Sequence, residues 1–138
     1  MALSRQSVRV GDQITPLSRL VTQEQIDAYA EASGDVNPIH VNEEFARMVG
    51  LPGTIAHGML NMAILTEAVS RWAGGGDRVA SLRVRFSKPL LPGDTITCTG
   101  KVVEVDEAAG IATLEVGATS DRGENLLTNG RASVRLSD

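Results

Sequence analysis

The stretch Gly58-Met59-Leu60-Asn61-Met62-Ala63-Ile64-Leu65-Thr66-Glu67-Ala68-Val69-Ser70-Arg71-Trp72 decides the fold. Its apolar residues fall at 59, 60, 62, 63, 64, 65, 68, 69 and 72, which covers most of a helix circumference. A helix that is apolar nearly all round is buried rather than laid on a surface. Gly74-Gly75-Gly76 ends it. The pattern predicts one buried helix from Gly58 to Trp72.

Everything downstream reads as strand. Leu82, Val84 and Phe86 alternate with Arg83, Arg85 and Ser87, the period of a strand with one covered face. Pro89 to Asp94 is a turn region. Thr95 to Asp106 is a strand, Glu107 to Gly110 a hairpin loop, and Ile111 to Thr119 the returning strand. Asp121-Arg122-Gly123 turns the chain into a last strand, Leu126 to Leu136.

The upstream half is shorter-ranged. Val10 to Ile14 reads as a turn leading into a short strand. Thr22-Gln23-Glu24-Gln25 is a capping-box pattern. Glu24 to Ala32 follows it, with Ile26, Tyr29 and Ala30 at helical spacing, and Gly34 stops the helix. Ser33 to Val41 is predicted as a loop. Asn42 starts a short helix through Met48, with Glu43 and Glu44 in its favourable first turn. Gly50, Pro52 and Gly53 form another loop.

The order is thus a short strand, small helices, one buried helix and a run of long strands. Hairpin connections imply an antiparallel sheet, and wrapping it around the apolar helix buries both. The expected class is α+β, as a single domain over residues 1–138. Such a sheet has exposed edges, and pairing two edges in a dimer is one remedy.

Composition narrows the partners. The 42% of apolar residues suffices for a core. The net charge is −4 with Lys and Arg scattered, whereas nucleic-acid binding needs a basic stripe. The N-terminal MALSRQSVRVGDQ lacks the apolar core of a signal peptide. The longest mostly apolar stretch, Met59 to Val69, is too short to span a bilayer and contains Asn61, Thr66 and Glu67. The single Cys98 forms no internal disulfide and suits a cytoplasmic location. One Cys and two His argue against a zinc site.

Chemistry concentrates in Ser33-Gly34-Asp35-Val36-Asn37-Pro38-Ile39-His40, where a carboxylate and an imidazole lie five residues apart. Pro38 fixes its own φ and keeps Asn37 out of helical geometry. Asn37 can bond nearby backbone and stiffen the turn. A stiff loop presenting an imidazole and a carboxylate is what proton transfer needs. The same residue types also serve as ordinary turn formers. A second constellation is Ile55-Ala56-His57-Gly58-Met59-Leu60, at the start of the buried helix. Helix N-termini expose unpaired N–H groups, and Gly58 lets a ligand oxygen approach its N–H, as an oxyanion hole requires. His57 is either a second catalytic or substrate group or a plain capping or packing residue.

Together these segments resemble the MaoC-like family of (R)-specific enoyl-CoA hydratases and (3R)-hydroxyacyl thioester dehydratases, over about Ala28 to Val103. The similarity rests on Tyr29-Ala30, on Ser33 to His40, on Ala56-His57-Gly58-Met59-Leu60, and on Arg85-Phe86-Ser87-Lys88-Pro89-Leu90 with Pro92-Gly93-Asp94. The resemblance implies a hot-dog fold. It implies Asp35 and His40 as the dyad that activates water, and Gly58 as donor to the thioester oxygen. Some relatives carry a supporting serine nine residues after the His of the His-Gly-Met segment; Thr66 stands there in this chain. Asn37 would shape the loop and meet the dyad.

The implied reaction is reversible hydration of a trans-2-enoyl thioester to the (3R)-3-hydroxyacyl thioester in fatty-acid metabolism. No metal or redox cofactor is called for. The substrate is an acyl-CoA or acyl-carrier-protein thioester. Met59, Met62 and Leu65 either border an apolar slot or pack the core; Arg83, Arg85 and Lys88 either meet its phosphates or line a solvated strand face. A homodimer is expected, with a heterodimer as alternative. Rival readings are a hot-dog thioesterase and an acyl-thioester-binding subunit of a heterodimeric dehydratase.

Overall fold

A computed structural model describes residues 3–138. Met1 and Ala2, the start of the N-terminal stretch read above, lie outside the described residues. The chain forms β1 (Leu17–Leu20), α1 (Gln23–Ser33), α2 (Pro38–Val41), α3 (Glu43–Met48) and α4 (Gly58–Ala73). A 3-10 turn at Gly76–Arg78 leads to β2 (Val79–Phe86), β3 (Thr95–Asp106), β4 (Ile111–Ser120) and β5 (Asn125–Arg135). The sheet order is β1-β3-β4-β5-β2, with every neighbour antiparallel.

Helix α4 packs against β2, β3, β4 and β5. Ile64, Leu65, Ala68 and Val69 of α4 meet the inward rows of the sheet, including Ile96, Val102, Leu114 and Val134, all essentially out of water. Burying one such side chain contributes about 1.5–3 kcal/mol, so this seam is the main source of stability. A sheet wrapped around one helix is the hot-dog architecture expected above. No helix is long and apolar enough to cross a membrane among the described residues.

Two local expectations are corrected. The first strand does not follow the Val10 turn: Gln13 makes only an isolated bridge to Lys101, and β1 begins at Leu17. Pro16 has no N–H to give to a ladder, so pairing starts after it. The predicted loop Ser33–Val41 contains a helical turn, α2, with Pro38 in its first turn and Asn37 as its cap. Proline is well placed there because that N–H has no helical partner anyway.

The sheet edge β1 is tied to the central helix. Arg19 donates twice to Glu67, at 2.8 Å each, and Arg71 reaches the same carboxylate at 2.5 Å. The hydrogen bond from Arg19 holds the Glu67 carboxyl below its ordinary value of 4.5, against the opposing pull of burial. Next to β1, burial pushes the Cys98 thiol up to about 12, which leaves it neutral and inert.

Candidate active site

The site starts where α1 stops. Gly34 adopts the left-handed φ of 80°, which an L side chain resists, and donates its N–H to Ala30 O at 3.0 Å. The chain then runs through a relay of short polar side chains. Asp35 N–H donates to Ser33 Oγ at 3.1 Å, and Asn37 N–H to Asp35 Oδ1 at 3.3 Å. Ile39 N–H donates to Asn37 Oδ1 at 3.2 Å, and His40 N–H to Asn37 O at 3.0 Å. The turn at Asn37-Pro38 brings His40 back towards Asp35.

His40 is buried, with 7% of its surface exposed. Its Nδ1 lies 2.8 Å from Ile55 O. A carbonyl only accepts, so the network assigns the proton to Nδ1 and leaves a lone pair on Nε2. That Nε2 faces Asp35 Oδ2 at 3.9 Å, while the Asp35 side chain stays half exposed. The anchor is itself fixed: Ile55 N–H donates to Ile39 O at 3.1 Å, and Ala56 N–H to Leu90 O at 2.8 Å.

Gln23 belongs to the same framework and was not foreseen. Its Nε2 donates to His40 O at 2.9 Å and Asp27 Oδ1 at 2.8 Å, and its Oε1 accepts from Thr54 Oγ1 at 2.5 Å. A glutamine at a helix start carries no sequence signal of such a bridge.

His57 was read as a candidate substrate contact, yet only 2% of its surface is exposed. It is the N-cap residue of α4 but makes no side-chain capping bond. Instead its Nε2 lies 2.9 Å from Asp35 O. Its ring stacks on His40, with centroids 3.7 Å apart and planes at 23°, and Tyr29 meets it in a T-shaped contact at 4.8 Å. Its Nδ1 is buried without a hydrogen-bond partner, as is Asn61 Oδ1 one turn on.

Gly58 begins α4, where first-turn N–H groups lack intrahelical partners and the positive dipole end lies. The space its missing side chain leaves is filled by protein: a Cβ there would stand 2.8 Å from Phe86 Cδ1. Glycine is therefore required for the packing of Phe86, whatever approaches its N–H. Phe86 is itself 51% exposed.

The remaining candidates are placed as follows. Asn37 meets the dyad through its backbone N–H, while its side-chain oxygen caps α2. Thr66 Oγ1 donates within its own helix, to Met62 O at 2.8 Å, and no hydrogen bond joins it to the dyad. Met59 is 55% exposed at the first turn of α4. Of the other candidate slot residues, Leu65 is wholly buried in the core and Met62 is half-buried. Arg85 and Lys88 are exposed, and strand alternation turns Arg85 to the face opposite Phe86, away from α4.

Asp35, His40 and His57 offer ligand atoms within 4.8 Å of one another. Ligands of one zinc ion lie roughly 2.0–2.2 Å from it and must converge. Two of the four ring nitrogens, His40 Nδ1 and His57 Nε2, already face carbonyl oxygens as donors and are not offered to a cation.

Against known proteins, the family described as "MaoC like domain" matches residues 6–123. The "(R)-specific enoyl-CoA hydratase" of Aeromonas caviae is 30% identical over 97% of this chain and 99% of its own length. The "Fatty acid synthase beta subunit TOXC" of Cochliobolus carbonum is 32% identical over 78% of this chain, but the match spans only 5% of that protein. A solved "MaoC-like dehydratase" superposes with a TM-score of 0.94 at 33% identity, over 99% of this chain and 43% of that one.

Proposed function

The chain belongs to the MaoC-like domain family, and on that premise we propose that it adds water to a trans-2-enoyl thioester and runs the reverse dehydration. The observation that carries this reading is the facing of Asp35 Oδ2 and His40 Nε2 across 3.9 Å, beside the N-terminus of α4. That distance is too long for a direct hydrogen bond, but one water bonded at about 2.8 Å to each atom fits between them. Both atoms are acceptors in the assigned tautomer. They take the two hydrogens of that water and leave an oxygen lone pair free for C3.

Attack at C3 moves negative charge to the thioester oxygen. The N–H of Gly58 and the dipole of α4 receive it there, a kind of donor commonly worth about 3 kcal/mol in the transition state. The water proton passes to the dyad, and a proton from the dyad goes to C2. In reverse, the proton leaves C2 and hydroxide leaves C3 as water. We place the product in the (3R) series by likeness to the Aeromonas hydratase, which is named as (R)-specific.

The substrate in this proposal is a fatty acyl thioester of CoA or of a carrier protein. The proposed assembly is a homodimer, supported by the single-neighboured edge strand β2 and by exposed Val36, Met59 and Phe86 around the site. We place the protein in the cytoplasm, as its one buried, neutral thiol allows.

The test is loss of the conjugated thioester absorbance when purified protein meets a short 2-enoyl-CoA. The wild type is expected to turn it over, and Asp35→Asn and His40→Ala to lose on the order of 10³-fold or more in kcat. Full activity in either variant sinks the dyad. CoA release without hydration moves the reading to a thioesterase, and binding without turnover to a non-catalytic subunit.

A further inference from the structure

We propose that His57 is a positioning residue that clasps the dyad to the oxyanion helix through its Nε2–H bond to Asp35 O. This deepens the hydratase reading and rests on it. Asp35 and Val36 lie between α1 and α2, outside any regular element, and both are exposed. The bonds that shape this stretch run within it and to the end of α1, over two to four residues. Those bonds set its shape; Ile55 holds the far end of the segment, at Ile39 O and His40 Nδ1, and leaves Asp35 itself untied to α4. The bond from His57 Nε2 to Asp35 O at 2.9 Å spans 22 residues and makes that tie. Because His57 directly precedes Gly58, the bond fixes the carboxylate and the oxyanion donor in one frame. Its ring also backs His40 at 3.7 Å.

A packing role alone does not account for an imidazole here. A phenyl ring would fill the space against Tyr29 and His40 without burying an unpaired nitrogen, as His57 Nδ1 is buried. Protein interiors rarely keep such an atom without a reason. What the imidazole adds is the Nε2–H donor, and that donor requires Nδ1 to be the bare nitrogen in the neutral ring.

The experiment has two arms. In wild-type protein, ring nitrogen NMR should find the His57 proton on Nε2 and the His40 proton on Nδ1. A His57 proton on Nδ1 alone overturns the proposal without any activity measurement. In the second arm, His57→Phe keeps a stacked ring and loses the donor, and His57→Gln restores an N–H near the same place. A shift of about 1 Å between reacting groups is enough for on the order of 10²-fold in rate. His57→Phe should therefore lose that much in kcat with KM within about threefold, and His57→Gln should recover roughly tenfold of it. The amide of Asn37 should exchange faster in His57→Phe and regain protection in His57→Gln. A folded His57→Phe variant with wild-type kcat and wild-type exchange overturns the clasp, and so does a His57→Gln variant no better than it. If the variants fail to fold, the wild-type tautomers decide. If wild-type protein hydrates no enoyl thioester, the proposed function fails, and the tautomers and amide exchange still judge the clasp.

Discussion

Strands β3 to β5 and the segment from Ser33 to Asn42 hold their shape by opposite means. In the strands, the backbone is laddered to neighbouring strands, with Gly100 and Val102 of β3 bonded instead to the segment Gly11–Ile14, and alternate side chains such as Ile96, Cys98, Leu114 and Val134 are sealed in the core with α4. In the segment, Ser33, Asp35, Asn37 and Asn42 bond backbone N–H groups two or three residues away, and few side chains are buried. Stability therefore resides in buried apolar area. The proposed chemistry resides in polar groups whose loss exposes little or no apolar surface.

The sharpest way to break this contrast is to change one residue on each side. Asp35→Asn keeps a side-chain oxygen able to accept from Asn37 N–H, so its unfolding free energy should move by less than about 1 kcal/mol while kcat collapses. Leu114→Ala should cost about 2–5 kcal/mol in denaturant unfolding and leave the kcat of folded molecules unchanged. A destabilised Asp35→Asn or a catalytically impaired Leu114→Ala would show that the two regions are not separate.

Gly58 is where the regions meet. Gly58→Ala puts a methyl into the Phe86 ring and should destabilise by about 1–3 kcal/mol, with activity lost alongside. Adding Phe86→Ala should recover much of that stability. Equal loss in the double variant would mean that the clash with Phe86 is not the reason for glycine.

The smallest effect belongs to Arg19–Glu67. A carboxyl held below its ordinary value adds stability that is fully present above the unfolded value of 4.5 and is lost as pH falls through the folded one. Melting temperature against pH should therefore drop on the acid side of about pH 4.5, and Glu67→Gln should flatten part of that drop. The pair is partly solvated, so the change should stay within about 1 kcal/mol at neutral pH.

Much of this was legible in the residues. The Thr22 cap, the Gly34 stop, the Asn42 cap and the Glu107–Gly110 hairpin follow from local turn and cap chemistry and stand where expected. The α2 turn was missed because proline was weighed as a loop former rather than as a first-turn residue. The pairing of Asp35 with His40 was legible because five residues and one proline bend the chain back on itself. Phe86 over Gly58, Ile55 O on His40 and the bridge made by Gln23 were not, since each joins residues 15 to 31 positions apart.

The sequence alone thus determined the central helix, the long strands, the antiparallel α+β plan and the candidate dyad, because hydrophobic period, caps and turns act over a few residues. Only the tertiary structure decided which nitrogen of each histidine is free, what His57 holds, and why residue 58 has no side chain. Those are properties of contacts between distant segments, and packing rather than spacing brings such segments together.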